Sequence, residues 1–123
     1  MKDVAGQISK KIIDAFPTIP VSIGQELNWD QLEEYIKIIW ESADLDDGVR
    51  PIEQFMSADI EIYSKKPNLY RVMELATSIK GLLKHSIHLS GSDWVDVREV
   101  RVNYLDLETG RKAVVSTRIA YWR

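Results

Sequence analysis

The chain contains no cysteine. That absence removes disulfides, thiolate nucleophiles and Cys-based metal sites together, and it fits a reducing compartment. The stretch MKDVAGQISKKIIDAF has no unbroken apolar core of the kind a signal peptide needs. No run approaches the length that spans a bilayer. These gaps predict a soluble protein kept in a cytoplasm. There is also no Gly-rich phosphate loop, no Ser–Gly elbow and no HExxH pair. Histidine is nearly missing: only His85 and His88 occur. Their i, i+3 spacing would bring two ligands together on a helix, but no further Cys, His or close acid completes a zinc set. Their expected place is a helix end, where a hydrogen-bonding side chain suits exposed carbonyls. DLDDG resembles a calcium loop, yet counting from Asp44 the sixth and twelfth positions are Val49 and Phe55 rather than Gly and Glu. Glu33 and Glu34 are adjacent, so they do not face each other as a catalytic pair. With no cofactor signature, an enzyme is disfavoured.

What is present suits one domain. A chain of 123 residues, 45% hydrophobic and 28% charged, has the material for a single core and is not compositionally disordered. The net charge of −3 is unevenly spread. Glu26 to Glu61 holds eleven acids against Lys37 and Arg50, whereas Ile62 to Arg123 is basic in balance. An acidic middle and a basic end argue against coating of nucleic acid and suit self-association through unlike patches.

The hydrophobic pattern divides the chain. Val4, Ile8, Ile12 and Ala15 predict a helix over 3–15, capped by Asp3 and stopped by FPTIP. IPVSIG predicts a short strand or extended segment. Asn28 and Gln31 have the spacing of a capping box, but YIKIIWES is β-branched and aromatic, which favours a strand. A single helix over 29–41 competes with that reading. After the turn residues of ADLDDGVRP, the run 52–63 alternates: Ile52, Met56, Ala58, Ile60 and Ile62 point one way, and Glu53, Ser57, Asp59 and Glu61 the other. It is about twice the usual strand length of roughly five to six residues. Asn68 is the expected cap of a helix over 69–84. SIHLSGSD reads as a connection. Two strands, 94–105 and 112–122, follow around the turn DLETG, where Gly110 suits positive φ. The expected fold is α+β: an antiparallel sheet of about four to five strands with a long hairpin, flanked by two helices on one face.

EEYIKIIWES, the acidic turn, FMSADIEIYSKKPN, the helix LYRVMELATSIKGLL and the closing STRIAYWR together resemble the tail-terminator, or tail-completion, proteins of long-tailed bacteriophages of the phage lambda type. The resemblance covers most of the chain and lies in element order and hydrophobic pattern. IPVSIGQELNWDQLEE departs from that family's short link. The resemblance implies a ring, generally a hexamer, at the neck end of the virion tail. Such a ring is assembled in the bacterial host, caps the last layer of tail-tube subunits and meets the head connector. It implies no cofactor, membrane or sequence-specific nucleic acid. The hairpin tip with Asp44, Asp46, Asp47 and Arg50 is the expected partner interface. Another head–tail connector or head-completion ring, a small monomeric α+β binding module and a cofactor-free enzyme are the competing readings.

Overall fold

The structure, a computed structural model, describes residues 4–25, 27, 32–43, 53–65, 69–84, 86–89, 94–107 and 110–122. Helix α1 (Val4–Ala15) leads into β1 (Val21–Ile23), then β2 (Glu34–Ala43), β3 (Glu53–Ser64), α2 (Tyr70–Leu82), β4 (Ser86–His88), β5 (Trp94–Leu107) and β6 (Gly110–Trp122). The strands form one sheet in the order β1-β2-β3-β6-β5-β4. All neighbours are antiparallel except β1 and β2, which run parallel with Val21 opposite Ile36.

The expected fold therefore needs correcting. The sheet has six strands, is mixed and closes into a half-barrel; the protein is strand-dominated rather than a four- to five-stranded antiparallel sheet flanked by helices. Two short strands account for much of the difference. β1 pairs parallel with the next strand in the chain, across residues 24–33. Its end is fixed by Gly24, at φ 73°, whose N–H donates to the Ile38 carbonyl at 2.8 Å. β4 lies within the segment expected to be a connection. It adds three residues to the flank of β5, with Ile87 opposite Val95.

The core occupies one face of the sheet. α1 contributes Val4, Ile8 and Ile12, and α2 contributes Val72, Leu75, Ala76 and Ile79. They pack with Ile36 and Ile38 of β2, Ile60 and Ile62 of β3, and Val115 and Ile119 of β6. Each of these strand residues is at most 1% exposed. Period-two alternation in the strands and helical spacing in α1 and α2 thus meet at a common apolar layer. Trp40 closes the α1 end, its indole N–H donating to Ser9 Oγ at 2.9 Å. A continuous helix through Ile39 is excluded, because β2 is paired with β3 from Glu34–Ser64 to Ala43–Phe55.

Gly110 has a different role from the one expected. Among the described glycines, Gly24 alone has positive φ. At Gly110 a Cβ would instead run into the Ser64 carbonyl oxygen and lie 3.0 Å from the Lys65 Cα. The need is for close backbone approach where β6 starts against the end of β3.

Candidate functional site

The expected interface falls in the segment between β2 and β3, where Asp44, Asp46, Asp47 and Arg50 lie outside the described residues. So do His85, the proposed caps Asp3 and Asn68, and the pair Asn28 and Gln31. What is described constrains the hairpin itself. β3 is paired on both sides: with β2 from Phe55 to Ser64, and with β6 along its full length, from Glu53–Trp122 to Ser64–Arg111. The length that drew attention to this ribbon is that of an interior strand, and its strand portion is not an arm projecting from the domain.

His88 lies on β4, not at a helix end, and its ring packs against Trp94 with centroids 4.6 Å apart. No group of three or more His, Asp or Glu suited to a metal occurs among the described residues. The described side chains also show no hydroxyl–histidine–carboxylate relay. Ser116 Oγ, for example, donates to Asp59 Oδ1 at 2.8 Å, in a depression whose charged lining is Glu41, Asp59, Glu99, Arg101 and Arg118.

Sequence reasoning missed the second face of the sheet, away from the helices. Tyr35 and Tyr63, directly opposite each other on β2 and β3, stack at 4.4 Å with 13° between their planes. The Tyr63 hydroxyl donates to Glu61 Oε1 at 2.8 Å. Lys112, the β6 partner of Tyr63, places Nζ 3.4 Å from Glu61 Oε2 and 5.0 Å from the Tyr63 ring centre. Further along, the Arg118 guanidinium sits 4.1 Å over the Phe55 ring. A shallow depression of about 230 Å³ lies between these clusters, bordered by Glu41, Asp59, Glu99, Arg101 and Arg118. Both signs of charge line it, so it has no strong preference for an anion or a cation. Alternation in β3 already assigned Asp59 and Glu61 to this face. Their partners on β6 follow only from the register.

A polar clasp ties α2 to the edge of the sheet. Arg71 donates to both oxygens of Glu34, from Nε at 2.6 Å and Nη2 at 2.8 Å, and Ser64 Oγ adds a third hydrogen bond at 3.0 Å. Hydrogen bonding to Glu34 holds the guanidinium protonated more firmly than usual, against the cost of partial burial. This fork is a fastening between elements.

The third feature is the sheet's edges. β1 and β4 are three residues each and cover only Ile36–Ile38 of β2 and Trp94–Asp96 of β5. From residue 97 to 107, β5 has β6 on one side and no strand on the other among the described residues. Tyr104 and Leu105 on this stretch are 41% and 48% exposed. Long uncovered edges are templates for pairing with another chain.

No protein-family model matches the chain, and no curated protein matches it. Among solved structures, a protein without a functional name superposes with a TM-score of 0.72, covering 96% of this chain and 89% of its own. The two are 13% identical, so the likeness shows a shared fold alone.

Proposed function

We propose that this protein is a structural phage component of the tail-terminator type. It forms a ring, generally a hexamer, on a completed tail tube, stops further polymerisation and offers the surface on which the head connector sits. Its partners are other copies of itself, the tail-tube protein and connector proteins, and it works without a cofactor. The observation that carries this reading is that the sheet edges are only partly covered among the described residues, whose side chains assemble no reactive constellation. A ring of identical subunits covers such edges by repetition. The acidic segment with Asp44, Asp46, Asp47 and Arg50 is the proposed contact with the tube or an adjacent subunit.

Mixing the protein with preformed tail tubes tests the proposal by electron microscopy. Rings seated on tube ends are the expected result, and bare ends would overturn it. A null phage separates this reading from a joining or head-completion ring. Overlong tubes mark a terminator, whereas tails of normal length without heads mark a joining protein. Charge reversal at Asp46 and Asp47 is expected to leave tails uncapped or overlong.

A further inference from the structure

The flank of β5 that no strand covers among the described residues has a form that suits its own copy. We propose that, without a tube, two molecules pair antiparallel through residues 99–105 of β5 about a two-fold axis at Val102, extending the two sheets into one. This concerns the free protein and does not rest on the ring reading.

Symmetry supplies the first constraint. Two identical strand edges that meet side by side are related by a two-fold axis normal to the sheet, so they run antiparallel and keep their helices on the same side. Residues directly opposite then share a face, and the axis must pass through one residue position. Val100 and Val102 pack against the core on the helix side, and Tyr104 follows them in the alternation. Glu99, Arg101, Asn103 and Leu105 pair with β6 residues of the second face, from Arg118 to Lys112.

Charge and obstruction then choose the position. An axis at Arg101 sets each arginine against its twin, and like charges directly opposite are destabilising. An axis at Val100 runs the pairing into the β-bulge between Val97 and Glu99 and towards the part of β5 that β4 already covers. An axis at Asn103 sets Asp106 against Val100 on the helix side. At Val102 none of these conflicts arises. Val100 meets the partner's Tyr104, Val102 meets itself, and Arg101 lies opposite the amide of the partner's Asn103. The pairing stays clear of the bulge and of β4 at one end, and stops before the end of β5 at Leu107 at the other. It covers Tyr104 and Leu105, the exposed apolar residues on this flank, and leaves no long unpaired edge there.

The absence of cysteine permits a direct test. A single introduced cysteine comes within disulfide reach of its own copy only where the residue opposes itself, on the axis. Under oxidation, Val102→Cys is expected to form a covalent dimer, while Arg101→Cys and Asn103→Cys are not. Sedimentation of the unaltered chain is expected to show a reversible dimer of twice the 14.2 kDa mass. Asn103→Arg, an exposed change, sets two arginine pairs across the axis and is expected to weaken that dimer roughly tenfold. Asn103→Glu is expected to strengthen it, with circular dichroism showing both variants folded. A monomer at every concentration would overturn the proposal, as would crosslinking at 101 or 103 in preference to 102. Neither result would bear on rings seated on tube ends.

Discussion

The two faces of the sheet are built from the same strands and held by different forces. Along β3, Ala58, Ile60 and Ile62 enter the helix-covered core, while Asp59, Glu61 and Tyr63 alternate with them on the other side. The first face is ordered by desolvation and dispersion, which reward volume and tolerate no gaps. The second is ordered by pairs whose members sit on different strands: Tyr35 with Tyr63, Glu61 with Lys112, Phe55 with Arg118. Tyr35 is buried, but the other members are half-buried or exposed, and pairs of that kind stabilise weakly. Stability should therefore reside on the helix side, leaving the second face and the edges free to serve recognition.

Ile60→Ala is the sharpest way to break that contrast. Ile60 is 1% exposed and sits centrally between β2 and β6, so truncation is expected to cost about 2–5 kcal/mol in urea melts. A cost within the range of surface substitutions would mean that the helix layer is not the main source of stability. Arg71→Ala comes next. It leaves Glu34, whose side chain is 13% exposed, without its guanidinium partner, and the expected loss is about 1–3 kcal/mol. Restoring only the charge with Arg71→Lys is expected to recover part of this, because lysine cannot reproduce the two-pronged contact.

The two faces also differ in how far they could be read from the sequence. Apolar periodicity was enough for the core, since Val4, Ile8 and Ile12 or Ile60 and Ile62 announce their side without knowledge of any partner. The same logic found α2, β3, β5 and β6, whereas β2 was read from the β-branched and aromatic content of YIKIIWES, with a helix over 29–41 as the competing reading. It failed at β4, because three residues are too few to display a period, and it left IPVSIG open between a short strand and an extended segment, because the pairing and direction of β1 depend on its neighbour. It also misjudged Gly110, where the demand comes from the distant Ser64 carbonyl rather than from the local turn. The cross-strand pairs were illegible for the same reason. Lys112 meets Glu61 and Tyr63 only through a register that relates residues about fifty positions apart. The hairpin's length was visible, but whether a long strand projects or lies inside a sheet is decided by β6, the last element of the chain.

One residue crosses the division. Thr117 lies on the helix side, opposite Ala58 and Val100, is 4% exposed, and its hydroxyl is a buried polar group without a hydrogen-bond partner among the described residues. A buried unsatisfied hydroxyl costs free energy that a methyl of similar size does not. Thr117→Val is accordingly expected to raise stability by about 1 kcal/mol, seen as a higher melting temperature. A loss on making this change would show that the hydroxyl has a use in the core that its geometry does not reveal.

The smallest effect belongs to the second face. Arg118 covers the Phe55 ring at 4.1 Å but is itself exposed, so Arg118→Ala is expected to cost about 0.5–1 kcal/mol. Arg118→Lys keeps the charge and loses the flat stacking surface, and should fall between the two. If Arg118→Ala instead matched Ile60→Ala in cost, the second face would be a second core, and its charged depression would be a structural feature with little room for recognition. A small cost together with loss of ring formation on tubes would separate the two roles: the helix side holds the subunit together, and the opposite side tells it what to bind.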